Sequence, residues 1–206
     1  MLPPLFYKKF IIKKISGYTL NKNKGDAFMY ETFYDDFNYE LITESPEQKL
    51  VKLLLKKNIK ISTAESCTGG LLSKKITDVP GVSQSFELGV CSYSNRIKNK
   101  ILGVNLDTLD KFTAVSHQTA IEMASGILNL SGADIGISTT GFAGPPMPGS
   151  FDKVGLVFIG VSCKKLKSVI KLNISNNMVE ERNFIRNTAV NHALSIAIKV
   201  AKDWSD

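Results

Sequence analysis

Hydrophobic and polar residues follow one another along the chain with two periods, one typical of helices and the other of strands. The clearest helix start is at Ser45, which stands with Pro46 and Gln48 in the order of a capping box, ahead of leucines at helical spacing. The patterns predict strands over 59–64, 86–94, 134–140, 154–163 and 168–174, and further helices from 71 to about 77 and over 95–102, 117–130 and 179–204.

The order of these elements predicts the fold class. Helices alternate with strands as far as residue 140, which is the pattern of a parallel sheet covered on both faces. The last two strands are separated only by the lysine-rich segment 164–167, which predicts a hairpin. We therefore expect a three-layer α/β/α sandwich with a mixed, mostly parallel sheet. Within the strand 86–94, the run Gly89-Val90-Cys91 is interpreted as a buried centre.

The first 45 residues differ in charge and composition from the rest. Residues 1–25 contain six lysines and no acid, residues 26–45 contain six acids and no base, and aromatic residues occur throughout both. We interpret 1–45 as an aromatic-rich extension, partly ordered or disordered, which packs on the domain or on a second subunit. The domain itself is predicted to span 46–206. Because 1–25 lacks acids, an organellar presequence stays an alternative to a cytoplasmic location.

The overall composition excludes several classes of protein. The 206 residues are 43% hydrophobic and 22% charged, as in an ordinary globular domain. The cysteines Cys67, Cys91 and Cys163 indicate free thiols in a reducing compartment, and His117 and His192 are too few for a multi-histidine metal centre. No apolar run approaches the roughly 18 residues of a membrane span. The net charge of +7 is carried by scattered lysines, which favours a phosphorylated small molecule over nucleic acid.

The segment 61–70 carries the first candidate chemistry. Its β-prone start ends in Ser66, Cys67 and Thr68, and Gly69 and Gly70 precede the next helix. At such a strand-to-helix turn, backbone amides favour negative charge and glycines let a ligand approach closely. The turn could hold a nucleophile, an oxyanion or a phosphate, or it could simply cap the helix.

Polar residues end two other predicted strands, at Ser92–Lys98 and Thr139–Pro145. If the three strands are parallel neighbours, their loops converge on one crevice. A serine nucleophile needs a base, and neither histidine lies near a strand end, so Lys98 is the candidate if burial lowers its pKa. Left open at this point are a surface role for Lys98 and a thiol nucleophile at Cys67.

Arg182 and Arg186 lie four residues apart, on one face of the predicted terminal helix. Two guanidinium groups at this spacing could clamp a phosphate. The alternative is that they pair with Glu180 and Glu181.

Long ordered motifs over about 46–203 closely resemble the CinA C-terminal domain family, the nicotinamide-nucleotide amidohydrolases. The resemblance is carried by Ser62–Leu72, Thr77–Ser83, Gly89–Asn95, Lys98, Leu102–Val104, Ala114–Ser116, Glu122–Ala124, Thr140–Pro145, Arg182, Arg186 and Ala193-Leu194. It implies hydrolysis of the carboxamide of nicotinamide mononucleotide to nicotinic acid mononucleotide and ammonia, in pyridine nucleotide salvage, without metal or organic cofactor. It also implies a cytoplasmic homo-oligomer.

The resemblance further implies residue roles. Ser66 would be the nucleophile and Lys98 its base, Tyr93 would assist proton transfer or hold the lysine, and Thr140 would support the substrate or the serine. Residues expected to bind the nucleotide are Glu65, Cys67, Thr68, Gly69, Gly70, Asn95, Gly141, Ala143, Gly144, Arg182 and Arg186.

Two departures from the family pattern keep an alternative open. Pro146 and Pro148 stiffen a loop that is glycine-rich in the family and remove backbone donors from it. The alternative is a non-catalytic relative that binds a nucleotide or a partner. The extension 1–45 is also too short for the molybdopterin-biosynthesis-like domain that often precedes this one, so a stand-alone form is expected.

Overall fold

The computed structural model describes residues 44–146, 153–174 and 182–204 in full, and the backbone of 8–12, 15–20, 27–33 and 35–39. The strands are β1 Lys8–Ile12, β2 Ile15–Leu20, β3 Ala27–Phe33, β4 Asp35–Tyr39, β5 Ile61–Glu65, β6 Phe86–Cys91, β7 Ile135–Gly141, β8 Leu156–Cys163 and β9 Leu166–Asn173. The helices are α1 Pro46–Lys57, α2 Leu71–Thr77, α3 Asn95–Leu102, α4 Leu106–Phe112, α5 His117–Ser131 and α6 Arg182–Lys202, with a 3₁₀ turn at Val82–Gln84.

The main sheet has the strand order β2-β3-β9-β8-β7-β5-β6. β5 lies between β6 and β7 and is parallel to both, whereas β7, β8 and β9 pair antiparallel in turn. Four of the five strands from β5 onward therefore run in the same direction. The predicted hairpin is confirmed, with Lys164 and Lys165 as its turn.

Helices cover this part of the sheet on both faces. Alternate strand residues such as Ile61, Ile135 and Ile159 pack with α1, α2 and α6 in the largest apolar cluster. A second cluster joins Ala64 to apolar residues of α3, α4 and α5 on the opposite face. The predicted three-layer α/β/α sandwich is confirmed, and the alternation along β5 decides which layer each of its side chains meets.

Close backbone approach fixes α5 on the sheet. A Cβ atom on Gly136 would lie 2.3 Å from the Ala124 carbonyl oxygen, and one on Gly160 would lie 2.4 Å from that of Ala120. The predicted capping box of α1 is also present, because Ser45 Oγ accepts from the Gln48 amide while Gln48 Oε1 accepts from the Ser45 amide. The position of α5 is thus set by tertiary contacts of glycines, whereas the start of α1 is set by its own local sequence.

Two features differ from the sequence-based prediction, and the extension contains strands that the prediction did not name. The interpretation of Gly89-Val90-Cys91 as buried is wrong: β6 is an edge strand whose residues alternate between exposed and half-buried. Helix α4 was not predicted. The backbone of the extension 1–45 forms β1 to β4, and β3 runs parallel to β9.

The predicted packing of the extension's aromatic side chains lies outside the described residues, and the domain boundary near residue 45 stays a prediction. Within the part of the chain that the structure describes, no helix is both long and apolar enough to cross a membrane.

Candidate active site

The sheet changes its direction of winding next to β5. The chain leaves β5 for α2, which packs on one face, and leaves β6 for α3, which packs on the other. The carboxyl ends of β5 and β6 are adjacent, and in open α/β sheets a crevice forms at such a switch point. Because β7 pairs parallel to β5 on its other side, the predicted convergence of the three loops is confirmed.

Ser66 and Lys98 meet in this crevice. Ser66 is the first residue after β5, and its Oγ lies 3.0 Å from Lys98 Nζ. Lys98 is on α3, whose start is capped by Ser94, and its side chain is 0% exposed. Nζ also donates to the carbonyl oxygens of Ser92 at 2.7 Å and Tyr93 at 3.4 Å. A neutral amine would give its two N–H groups to these carbonyls and keep its lone pair for the Ser66 hydroxyl.

Burial also sets the charge of this lysine. Desolvation lowers the pKa of Lys98 from 10.5 to about 8, because the surrounding protein replaces the water that would solvate the ammonium. About a tenth of the side chains are then neutral at pH 7. The pair therefore supplies serine chemistry with a base of which a usable fraction is free of its proton near neutral pH.

Glu65 faces into the turn and away from the crevice. It is fully buried, and its Oε2 accepts from Thr68 Oγ1 at 2.7 Å and from the Gly70 and Leu72 amides at 3.0 Å each. Its Oε1 accepts from the amide and hydroxyl of Ser73 at 2.8 and 2.6 Å. Helix α2 has no side-chain cap at Gly70, so Glu65 supplies one from the preceding strand. Its carboxylate is fully occupied, which leaves no free acceptor for the substrate contact expected from the sequence.

Thr139 is a site residue that the sequence reasoning missed. Its carbonyl accepts from the Ser66 amide at 2.9 Å, and its hydroxyl lies 2.6 Å from Thr68 Oγ1. The register pairs Thr139 with Glu65, so both side chains point to the same face of the sheet. The hydroxyl of Thr140, by contrast, donates to the Ala114 carbonyl at 2.6 Å on the other face. The catalytic role expected of Thr140 rests on no described contact with Ser66 or Lys98 and stays a prediction.

Tyr93 holds the lysine through its main chain. Its side chain is 66% exposed, and its hydroxyl accepts from Arg182 Nη2 at 3.2 Å. Arg182 also donates through Nη1 to the Gly144 carbonyl at 2.6 Å, so it joins the loops that follow β6 and β7. The phenol lies at the mouth of the crevice with the guanidinium.

Arg186 binds the turn itself. Its Nε and Nη2 donate to the Thr68 carbonyl at 3.1 and 2.6 Å, beside the exposed Gly69. Among the described residues neither Arg186 nor Arg182 forms an ion pair with a carboxylate, and Glu180 and Glu181 lie outside the described ranges. The two guanidinium groups thus bring positive charge to the same edge of the sheet as Ser66.

Cys67 is placed as part of the core. It is 5% exposed, and burial raises the pKa of its thiol to about 12. A thiol in this state is protonated at neutral pH and is a poor nucleophile. The geometry therefore favours Ser66 over its neighbour.

The remaining candidates line the loops that enclose the crevice. Asn95 is exposed at the start of α3, Gly141 ends β7, and Ala143 is buried in the large core cluster. Gly144 has φ +71°, and a Cβ atom there would lie 2.8 Å from Val154 Cγ1. Pro146 is exposed, and Pro148, which is predicted to stiffen the same loop, lies outside the described residues.

Within the described part of the chain, no cluster of three or more histidine, cysteine, aspartate or glutamate residues has the arrangement of a metal site. The binding roles expected of the loop residues stay predictions.

Fold and site together define an α/β sandwich protein in which a half-buried serine contacts a buried lysine at a topological switch point. The CinA C-terminal domain family model matches residues 43–201, and the chain belongs to this family. It is 48% identical over 161 residues to a competence-damage inducible protein of Thermoanaerobacter pseudethanolicus, and 48% identical over 159 residues to a CinA-like protein of Kosmotoga olearia. These matches cover 78% and 77% of this chain but 38% of each relative, so the chain spans well under half of their length.

Solved structures agree with this assignment. The competence damage-inducible protein A of Klebsiella pneumoniae superposes with a TM-score of 0.72 at 28% identity, covering 78% of this chain and 97% of that one. The competence/damage inducible protein of Agrobacterium tumefaciens gives a TM-score of 0.69 at 32% identity, covering 77% of this chain and 98% of that one. The family and fold expected from the motifs are confirmed.

Proposed function

We propose that the chain hydrolyses the carboxamide of nicotinamide mononucleotide, giving nicotinic acid mononucleotide and ammonia. The observation that carries the proposal is the contact of Ser66 Oγ with the buried Nζ of Lys98 at 3.0 Å, together with the lowered pKa of that lysine. Serine attack on an amide needs a base that is unprotonated in the working pH range, and this pair supplies one.

The chemistry proceeds in two halves. Neutral Lys98 takes the Ser66 proton as Oγ bonds to the carboxamide carbon, and the carbonyl electrons move onto oxygen. The Thr68 amide has no acceptor among the described residues and the Cys67 amide meets only its own thiol, so both are suited to stabilise that oxyanion. When the C–N bond breaks, the Lys98 ammonium returns the proton to the leaving nitrogen, and ammonia departs from an acyl-serine.

Water completes the reaction. It attacks the acyl carbon, Lys98 accepts its proton, and the ester bond to Ser66 breaks as the lysine returns that proton to Oγ. The product is the carboxylic acid, and the pair is restored to its starting state.

Positive charge at the crevice supports a phosphorylated substrate. The guanidinium groups of Arg182 and Arg186 contact backbone carbonyls or a phenol, which leaves their charge uncompensated among the described residues. Arginine suits bidentate binding of phosphate. The phosphate of a mononucleotide would lie against these two residues.

The test is ammonia release from nicotinamide mononucleotide by the purified chain, with the acid product identified by mass spectrometry. We expect turnover by the wild type and a loss of about 10³-fold or more in kcat for Ser66→Ala and for Lys98→Met. Ser45→Ala, which changes only the remote cap of α1, is the matched control and should retain kcat.

Two other results would decide against this proposal. Tight binding of the mononucleotide with no product from the wild type would identify a non-catalytic binding relative. Activity that survives Ser66→Ala but is lost in Cys67→Ala would identify a thiol amidase.

A further inference from the structure

Glu65 is a buried carboxylate directly before Ser66, and the mechanism proposed above gives it no task. Its two oxygens accept five hydrogen bonds, all from residues 68–73. None of these donors is a cation, so the negative charge of the Glu65 carboxylate is stabilised by amides and hydroxyls at the start of α2. Since a buried charge requires its donors to stay in place, this arrangement restrains the whole turn.

These bonds divide the amides of the turn into two groups. Those of Gly70, Leu72 and Ser73 donate to Glu65, while the Gly69 and Leu71 amides donate to backbone carbonyls of the same turn. The Thr68 amide is left without an acceptor among the described residues, and the Cys67 amide meets only the weakly accepting thiol of its own side chain. They directly follow the nucleophile, where oxyanion donors stand in enzymes with a serine on a strand-to-helix turn.

We infer that Glu65 is a positioning residue for the reaction, which holds the turn so that Ser66 Oγ faces Lys98 and the Cys67 and Thr68 amides face the oxyanion. The inference rests on the proposed serine mechanism and gives Glu65 a role other than contact with substrate. Helix α2 has no side-chain cap of its own, so Glu65 is the side chain that binds the amides at its start. It also means that the start of α2 is closed to a substrate phosphate.

Glu65→Gln is the sharpest variant because it keeps the shape of the side chain. Either orientation of the new amide group would direct its N–H₂ at backbone N–H donors, those of Gly70 and Leu72 or that of Ser73. We expect kcat for nicotinamide mononucleotide to fall by about 10- to 100-fold, below the full loss of an oxyanion donor. KM should stay within about threefold, because the residue makes no substrate contact.

A second readout does not depend on the identity of the substrate. The rate at which a small fluorophosphonate labels Ser66, followed by peptide mass spectrometry, reports the orientation of the hydroxyl and the oxyanion donors alone. Glu65→Gln should lower this rate by a factor similar to its effect on kcat. Ser45→Ala, which removes the side-chain cap of α1, should lower the unfolding temperature but leave kcat and labelling unchanged.

Ser73→Ala keeps the inference testable if Glu65→Gln does not fold. It removes one hydroxyl donor to Oε1 and leaves the three amide bonds, so a smaller fall of about threefold in labelling is expected. Wild-type rates in both variants, or an equal fall in Ser45→Ala, would overturn the inference.

Failure of the proposed function gives a different result. If the wild type is labelled at Ser66 but releases no ammonia, the proposed substrate is wrong. The role of Glu65 can still be tested, because the labelling rates of Glu65→Gln and the wild type can be compared. A wild type that is not labelled at Ser66 contradicts the serine mechanism and the inference together.

Discussion

Ser66 lies between two buried charged residues whose surroundings differ. On the side of α2, Glu65 accepts five hydrogen bonds and leaves neither oxygen free. On the side of α3, Lys98 has two carbonyls and one hydroxyl as partners, and burial lowers its pKa to about 8. A carboxylate held by five donors makes a rigid support, whereas a lysine whose charged form is disfavoured by burial can give up its proton and stays reactive.

The comparison explains why both sides are needed at one serine. The α2 side fixes where the hydroxyl stands, through the Thr139 carbonyl on the Ser66 amide and through Glu65 on the turn. The α3 side supplies the group that can remove its proton. Each of the following predictions tests one side of this division.

The largest expected effect is the pH dependence of turnover. Lys98 acts as a base only when neutral, and below its pKa of about 8 the neutral fraction falls tenfold for each pH unit. We expect kcat for nicotinamide mononucleotide to rise about 50-fold from about pH 6 to about pH 8, and about twofold more before it levels off above about pH 9. Initial rates of ammonia release at saturating substrate, in overlapping buffers, measure this profile.

Circular dichroism over the same range is the control for unfolding. A flat profile between those pH values would contradict lysine as the base. A rise that begins only near the ordinary pKa of lysine would contradict the effect of burial.

The next effect concerns substrate binding on the α2 side. Arg186→Gln removes a guanidinium that holds the Thr68 carbonyl and brings charge to the crevice. We expect kcat/KM for the mononucleotide to fall by about 10- to 50-fold, as for loss of a charged hydrogen bond. Nicotinamide riboside, which lacks the phosphate, is the control substrate and should lose much less. Equal losses on both substrates would mean that Arg186 acts only on the turn.

The sequence predicted the reactive side better than the supporting side. Ser66 was recognisable because it stands just beyond a strand, whereas a surface role stayed open for Lys98 until the resemblance to the family implied that it is the base. Helix α3 was also predicted with the bounds that it has, 95–102, because Ser94 and Gly103 are strong local end signals.

The supporting side depends on tertiary pairing, which local sequence does not encode. Thr139 and Thr140 are adjacent hydroxyl residues at one strand end, and only the register with β5 decides that Thr139 meets Thr68. The edge position of β6 likewise follows from the strand order and not from its apolar composition. The role of Glu65 did leave one signal, since α2 begins after Gly69 and Gly70 with no capping side chain of its own.

A smaller effect is expected on stability, from Lys98→Met. The unfolded chain has lysine at its ordinary pKa of 10.5, whereas the folded chain has it at about 8. Between about pH 8 and pH 10.5 the unfolded state binds more protons than the folded state, so the free energy of unfolding of the wild type should rise with pH. Below about pH 8 the lysine is protonated in both states, and the cost of its buried charge is constant. That cost is about 3 kcal/mol, offset in the variant by the two carbonyls that lose a donor.

We therefore expect Lys98→Met to be more stable than the wild type by about 1 kcal/mol at neutral pH, with a gain that disappears near about pH 9 and becomes a loss of about 2 kcal/mol as the pH approaches 10.5. Urea unfolding at several pH values measures this difference. Ser66→Ala keeps the lysine and is the matched control, which should follow the wild-type pH dependence. A stability difference that does not change with pH would show that Lys98 titrates alike in both states.

The smallest effect is expected at the residue beside the nucleophile. Cys67 has its thiol in the core on the α2 side, and burial raises its pKa to about 12, so it cannot supply a thiolate at neutral pH. Cys67→Ala should change kcat by less than about threefold and lower the free energy of unfolding by about 1 kcal/mol, as for a small cavity in a packed core. Ammonia release and urea unfolding of the same preparation measure both. A loss of turnover comparable to that of Ser66→Ala would make Cys67 the nucleophile. Its thiol would then have to leave the core on the α2 side in order to react. The division between a rigid α2 side and a reactive α3 side would be contradicted.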